Sequence, residues 1–200
     1  MTYILSVLKK WGINVPEEVD YYAEFLRDSN PSKFYYIDQC PFSVGEKHSE
    51  VDMFFQEVLE GSLPKEKFIA LELKYQNILT KIWLYNDVYV ESNIFDKRIK
   101  NKNKKIDKEY RHLYSKLVNK FSKDNFVKIT DKSELELLVQ LGNRDVIYTA
   151  YYFQEYELLV IPSWSCLIAY FNDISKLNIV EKIVNTEGLY LRPFLETQQK

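Results

Sequence analysis

The sequence predicts an α+β protein, a mainly antiparallel sheet flanked by helices. Three observations carry that expectation. Residues 146–153, 156–161 and 166–171 are β-rich runs separated by Gln154-Glu155 and Pro162-Ser163, the pattern of an antiparallel meander. Helical stretches with one apolar face alternate with strands elsewhere, and four glycines, Gly12, Gly61, Gly142 and Gly188, stand where those helices should end. A chain of 200 residues, 46% hydrophobic and 28% charged, is long enough to bury a substantial core.

Along the chain, Ile4, Leu5, Leu8 and Trp11 recur at helical spacing before Gly12. Pro16 opens a second helix with Glu17 and Glu18 in its first turn, burying Val19, Tyr22, Phe25 and Leu26 and ending near Ser29-Asn30-Pro31. Residues 34–37 read as a strand. Residues 49–60 read as a helix burying Val51, Phe54, Phe55, Val58 and Leu59. Between 68 and 91 the alternation of Leu71, Leu73 and Tyr75, of Ile82 and Leu84, and of Val88 and Val90 favours strands over one long helix. Residues 105–122 form an amphipathic helix on the stripe Ile106, Tyr110, Leu113, Leu117 and Phe121, preceded by a lysine-rich loop. A strand at 126–130 leads to a helix whose start carries Asp131 and Glu134 as a capping-box-like pair. After the meander comes a helix with Ile174, Leu177, Val180, Ile183 and Val184 inward, and residues 189–194 are a final strand. The runs 158–161 and 166–171 are apolar on both alternating faces, so both faces should be covered, by the chain's own helices or by a partner. The expected organisation is one domain over 1–200, with sub-lobes 1–95 and 125–195 bridged by the basic helix of 105–122.

Charge is segregated. From Asp96 to Asp124 there are eleven Lys and Arg against four acids, while the rest of the chain carries nine more acids than bases. Two histidines and two cysteines starve most catalytic and metal motifs. His48-Ser49-Glu50 matches the first half of a zinc deaminase signature, but Cys166 alone follows Pro162 at the wrong spacing. Glu46, His48, Glu50 and Asp52 are better explained by a helix amino terminus than by a metal, and Cys40 with His48 has no spacing that makes a nucleophile and base. No catalytic residue, metal site or cofactor is therefore expected. The candidates left are partner contacts: Trp164 between two serines, Arg192 on an apolar strand where Glu187 could pair with it, and Lys105, Lys108 and Arg111 in the basic segment. The amino terminus has no signal-peptide pattern and no apolar run is long enough to span a membrane, so the expected location is the cytoplasm.

The segment WGINVPEEVDYYAEFL resembles the start of bacterial toxin-immunity proteins, in which a short helix, a proline and an acidic aromatic helix lead into a mixed sheet. The resemblance covers the first forty residues. The glycine and acidic signatures found further on in such families are missing, so no site residue is transferred. It implies a non-catalytic cytosolic protein that binds a cognate toxin. The functional expectation is thus protein–protein interaction, with a toxin or a second copy of the chain as partner. The alternatives are nucleic-acid binding through 97–123 and an enzyme using dispersed carboxylates.

Overall fold

The computed structural model describes residues 3–16, 22–41, 53–96, 106–163 and 165–194. These form seven α-helices and a seven-stranded antiparallel sheet. In chain order they are α1 (Tyr3–Lys10), α2 (Tyr22–Ser29), β1 (Phe34–Asp38), α3 (Phe55–Glu60), α4 (Lys65–Trp83), β2 (Val88–Ser92), α5 (Arg111–Phe121), β3 (Phe126–Lys128), α6 (Lys132–Asn143), β4 (Thr149–Phe153), β5 (Leu158–Ser163), β6 (Cys166–Phe171), α7 (Leu177–Thr186) and β7 (Tyr190–Pro193).

The meander is the centre of the sheet. β4, β5 and β6 pair in sequence, with Tyr151 opposite Val160 and Val160 opposite Ala169. The full order is β3-β2-β4-β5-β6-β1-β7, so strands from the amino-terminal half flank the meander on both sides. Neither 1–95 nor 125–195 holds a whole sheet by itself.

Alternation along these strands divides the core in two. On one face Leu158, Val160, Leu167, Ala169 and Phe171 join Leu71, Ile78, Leu79, Ile82, Leu135 and Leu138 of α4 and α6, with Leu117 of α5 and Val180 of α7. On the other face Leu159, Ile161, Ile168 and Tyr170 meet Ile4 and Leu8 of α1 and Ala23 and Leu26 of α2. The chain's own helices therefore cover both apolar faces of the meander.

Several expectations need correction. Residues 65–83 are a single helix rather than strands. Phe68, Leu71, Tyr75, Ile78, Leu79 and Ile82 are buried at helical spacing, while Leu73 and Leu84, which suggested alternation, lie outside on the surface. Glu72 interrupts the apolar stripe yet is buried with it, which hid the period. The helix expected from 105 starts at Arg111 after a short 3-10 turn at Lys108–Tyr110. Phe54 precedes α3 in an extended conformation instead of belonging to it, and its N–H is accepted by the Glu57 carboxylate at 2.9 Å. Leu59 is exposed. Asp131 caps α6 by accepting the Ser133 N–H at 2.9 Å, but Glu134 turns away to Lys120 and Lys116, at 2.6 and 3.1 Å.

Gly142 is the one glycine misjudged as a helix terminator. It lies within α6, and a Cβ there would stand 2.7 Å from Thr149 Oγ1 and 3.1 Å from Pro162 Cγ, so it is needed for close approach of helix and sheet. Gly61 and Gly188 do follow helices with φ of 81° and 68°.

Candidate partner-binding surface

The helices α1 and α2 leave the β3-β2-β4 end of their sheet face only partly covered. Antiparallel register puts Phe126, Tyr89 and Tyr152 side by side on that face, because Tyr89 is opposite Tyr152 and its neighbour Glu91 is opposite Phe126. Phe126 stacks on Tyr89 with ring centres 5.4 Å apart and 15° between planes. Tyr3 at the start of α1 stacks on the other side of Phe126, at 5.3 Å and 8°. Tyr152 continues the row to Trp11, 5.7 Å away, and Trp11 reaches Tyr170 at 6.2 Å. Tyr3 is exposed, and Tyr89, Phe126, Tyr152 and Trp11 are half-buried. Burial raises the pKa of Tyr152, and Glu157, Glu155 and Tyr89 add to it, so its hydroxyl stays protonated as a donor. Rigid, amphipathic rings of this kind are the side chains that make contact energy cheaply at interfaces.

Glu91 anchors this layer. Its buried carboxylate accepts the Ile4 N–H at 3.0 Å, meeting the start of α1 where amides lack helical partners. Burial pushes its pKa up, against the opposing hydrogen bonds from the Ile4 and Tyr3 amides.

On the opposite side of the sheet, Arg144 draws four elements together. It is 1% exposed, donates from Nε and Nη2 to the two Glu72 oxygens at 2.9 Å each, and from Nη1 to Asp107 at 3.0 Å. The guanidinium carbon lies 4.8 Å from the centre of the Phe55 ring, and Gln140 Nε2 also donates to Asp107. Burial raises the pKa of Glu72 despite Arg144, whereas Arg144 and Lys65 hold Asp107 down against its own burial. A neutral-looking core thus contains a bidentate ion pair that locks α3, α4 and α6 to the segment before α5.

The sequence-derived candidates are scattered. Arg192 is buried on β7, where it donates to Asp38 at 2.9 Å and stacks over Tyr36 at 4.8 Å. Glu187, the partner expected for it, is taken by Lys81 and Asn77. Lys108 and Arg111 are exposed at the start of α5, far from the aromatic row in the chain and on a helix packed against the other sheet face. Trp164, Lys105, His48 and the acids around it lie outside the described residues. Cys40 and Cys166 carry free thiols.

Among the described residues no group of three or more His, Cys, Asp or Glu is placed to hold a metal ion, and no helix is long and apolar enough to cross a membrane. The clefts of several hundred Å³ lie elsewhere than the perturbed acids: one of about 700 Å³ is lined by Phe55, Asn143, Thr149 and Pro162, and one of about 580 Å³ by Tyr35, Leu177, Glu181 and Arg192. Glu72 borders only a space of about 10 Å³, which holds roughly one water. The chain matches no family model, no curated protein and no solved structure.

Sequence reasoning missed the aromatic row because its members come from five elements. Tyr89 and Val90 read as a strand, and residues 126–130 read as another, but nothing local pairs them. The abundance of Tyr and Phe was the only signal.

Proposed function

We propose that this chain is a non-catalytic protein that binds another protein, in the manner of a toxin-immunity protein, through the aromatic row on its outer sheet face. The observation that carries the reading is the continuous stack of Tyr3, Phe126, Tyr89 and Tyr152, left half open by α1 where the neighbouring sheet face is closed. Two further observations support it over the alternatives. The carboxyls pushed upward, Glu72 and Glu91, are committed to Arg144 and to the amides of α1 and border none of the large clefts, which weakens an acid–base enzyme. Lys116 and Lys120 are engaged by Glu134, which removes part of the positive field expected of the basic helix.

The test is affinity capture of tagged protein from its native cells, with and without nuclease and at two salt concentrations. A stoichiometric protein that survives nuclease, and is lost with the double variant Tyr89→Ser, Tyr152→Ser while that variant keeps the wild-type circular dichroism, is the expected result. Nuclease-sensitive recovery, or capture indifferent to the double variant, would overturn it.

A further inference from the structure

The turn that joins α4 to β2 closes one end of the aromatic row, and it is hollow. A cleft of about 520 Å³ is lined by Trp83, Leu84, Tyr85, Asn86, Asp87 and Glu155. Leu84 and Tyr85 are 71% and 67% exposed, unusual for such side chains in a turn with no neighbour to cover them. Every polar side chain of the lining offers an oxygen acceptor: the carboxylates of Asp87 and Glu155, and the amide oxygen of Asn86. Asn86 is 8% exposed, and its Nδ2 donates to Ile82 O at 2.9 Å, but Oδ1 receives no hydrogen bond. A buried acceptor without a donor is an unmet demand of the fold. Glu155 is held in place because its Oε2 accepts the Asp87 N–H at 2.7 Å. One base is present, Lys128, which pairs with Asp87 and lies 6.0 Å from the centre of Tyr89, so two carboxylates face a single ammonium.

We infer that this cleft receives an arginine side chain of the bound protein, an inference that rests on the partner-binding reading above. Unmatched acceptors and surplus negative charge call for a cation with several donors. Flat rings at the wall favour a planar one, and a guanidinium can stack on an aromatic face while its fork of N–H groups bonds to carboxylate and amide oxygens. An ammonium satisfies fewer of these at once. The apolar rim of Leu84 and Tyr85 excludes water around such an anchor, and Lys128 joins the cleft to Tyr89, making one continuous contact surface.

The experiment titrates the full, 15N-labelled chain with the capped tripeptide Gly-Arg-Gly, and with Gly-citrulline-Gly and Gly-Lys-Gly as controls. The readouts are the Trp83 indole N–H and the Asn86 side-chain amide. The arginine peptide should shift both saturably and more tightly than the lysine peptide, and the citrulline peptide should leave them unmoved. Glu155→Gln should weaken the arginine peptide about tenfold, the scale of one charge-assisted bond. Unsaturable shifts, equal binding of citrulline, or unchanged affinity in Glu155→Gln would overturn the inference. A second arm repeats the affinity capture with Tyr85→Ala combined with Glu155→Arg, both at exposed positions. If the partner stays bound, the arginine site fails while partner binding stands; if wild type captures nothing, partner binding fails and the peptide titration still decides what the cleft takes.

Discussion

Arg144 shows how much a single side chain can organise. Its three donors face Glu72 and Asp107 and its flat face meets Phe55, so residues separated by up to 89 positions are held by one guanidinium. Replacing it by Met leaves the Glu72 carboxylate buried without a counter-charge, and the loss should be about 3–5 kcal/mol, read as a lower midpoint in urea unfolding with an unchanged slope. The double variant Arg144→Met, Glu72→Met should recover most of that loss, since the charge that suffers is then also gone. Neither partner advertised this role in the sequence. Arg144 follows a helix end and Glu72 sits among apolar residues, and only the packing of α4 against α6 brings them within reach. Arg192 is the converse case: its oddness on an apolar strand was readable, but the register that puts it beside Asp38 was not.

Among the elements, α1 depends on a strand far from it in the chain. Glu91 supplies the acceptor that the first turn of α1 lacks, and burial keeps its folded pKa above the ordinary carboxylate value. For an acid shifted upward the sign is fixed. The folded state binds the proton more tightly than the unfolded one, so stability contributed by this group falls as pH rises from the ordinary carboxylate pKa through the folded value, and is constant above it. Glu91→Gln keeps an acceptor for the Ile4 amide without the charge; urea melts between pH 4 and 7 should show a smaller decline with rising pH than wild type. Glu91→Ala removes the acceptor as well and should cost about 1–3 kcal/mol at neutral pH. Elements whose pattern is purely local were the legible ones: the meander, α7 with its following glycine, and the stripe of α5. The helix α4 was not, because a buried glutamate and two exposed leucines counterfeit an alternating pattern.

At the scale of the whole molecule, the sheet order interleaves the two halves of the chain, and this makes one cooperative unit the expectation. Trp11 reports on the face under α1, and Trp83 packs against the core on the other face. Denaturation curves of two variants, one keeping only Trp11 and the other only Trp83, should coincide by fluorescence. A displaced Trp11 curve would mean that α1 and α2 peel away before the rest. The fold class could be read from the sequence because strands and helices alternate with clear punctuation. The neighbours β1 and β2 take in the sheet could not, since β1 enters between β6 and β7 by contacts 130 or more residues away.

The two rims of the sheet have their own consequence. One is β3, three residues long and ending in Lys128; the other is β7, four residues long and ending in Pro193. Neither offers enough free main chain to template a foreign strand, and lysine and proline are poor hosts for one. Recognition is thereby confined to side chains, which single substitutions can retune without disturbing the ladder beneath. Such a molecule can change its partner and keep its architecture.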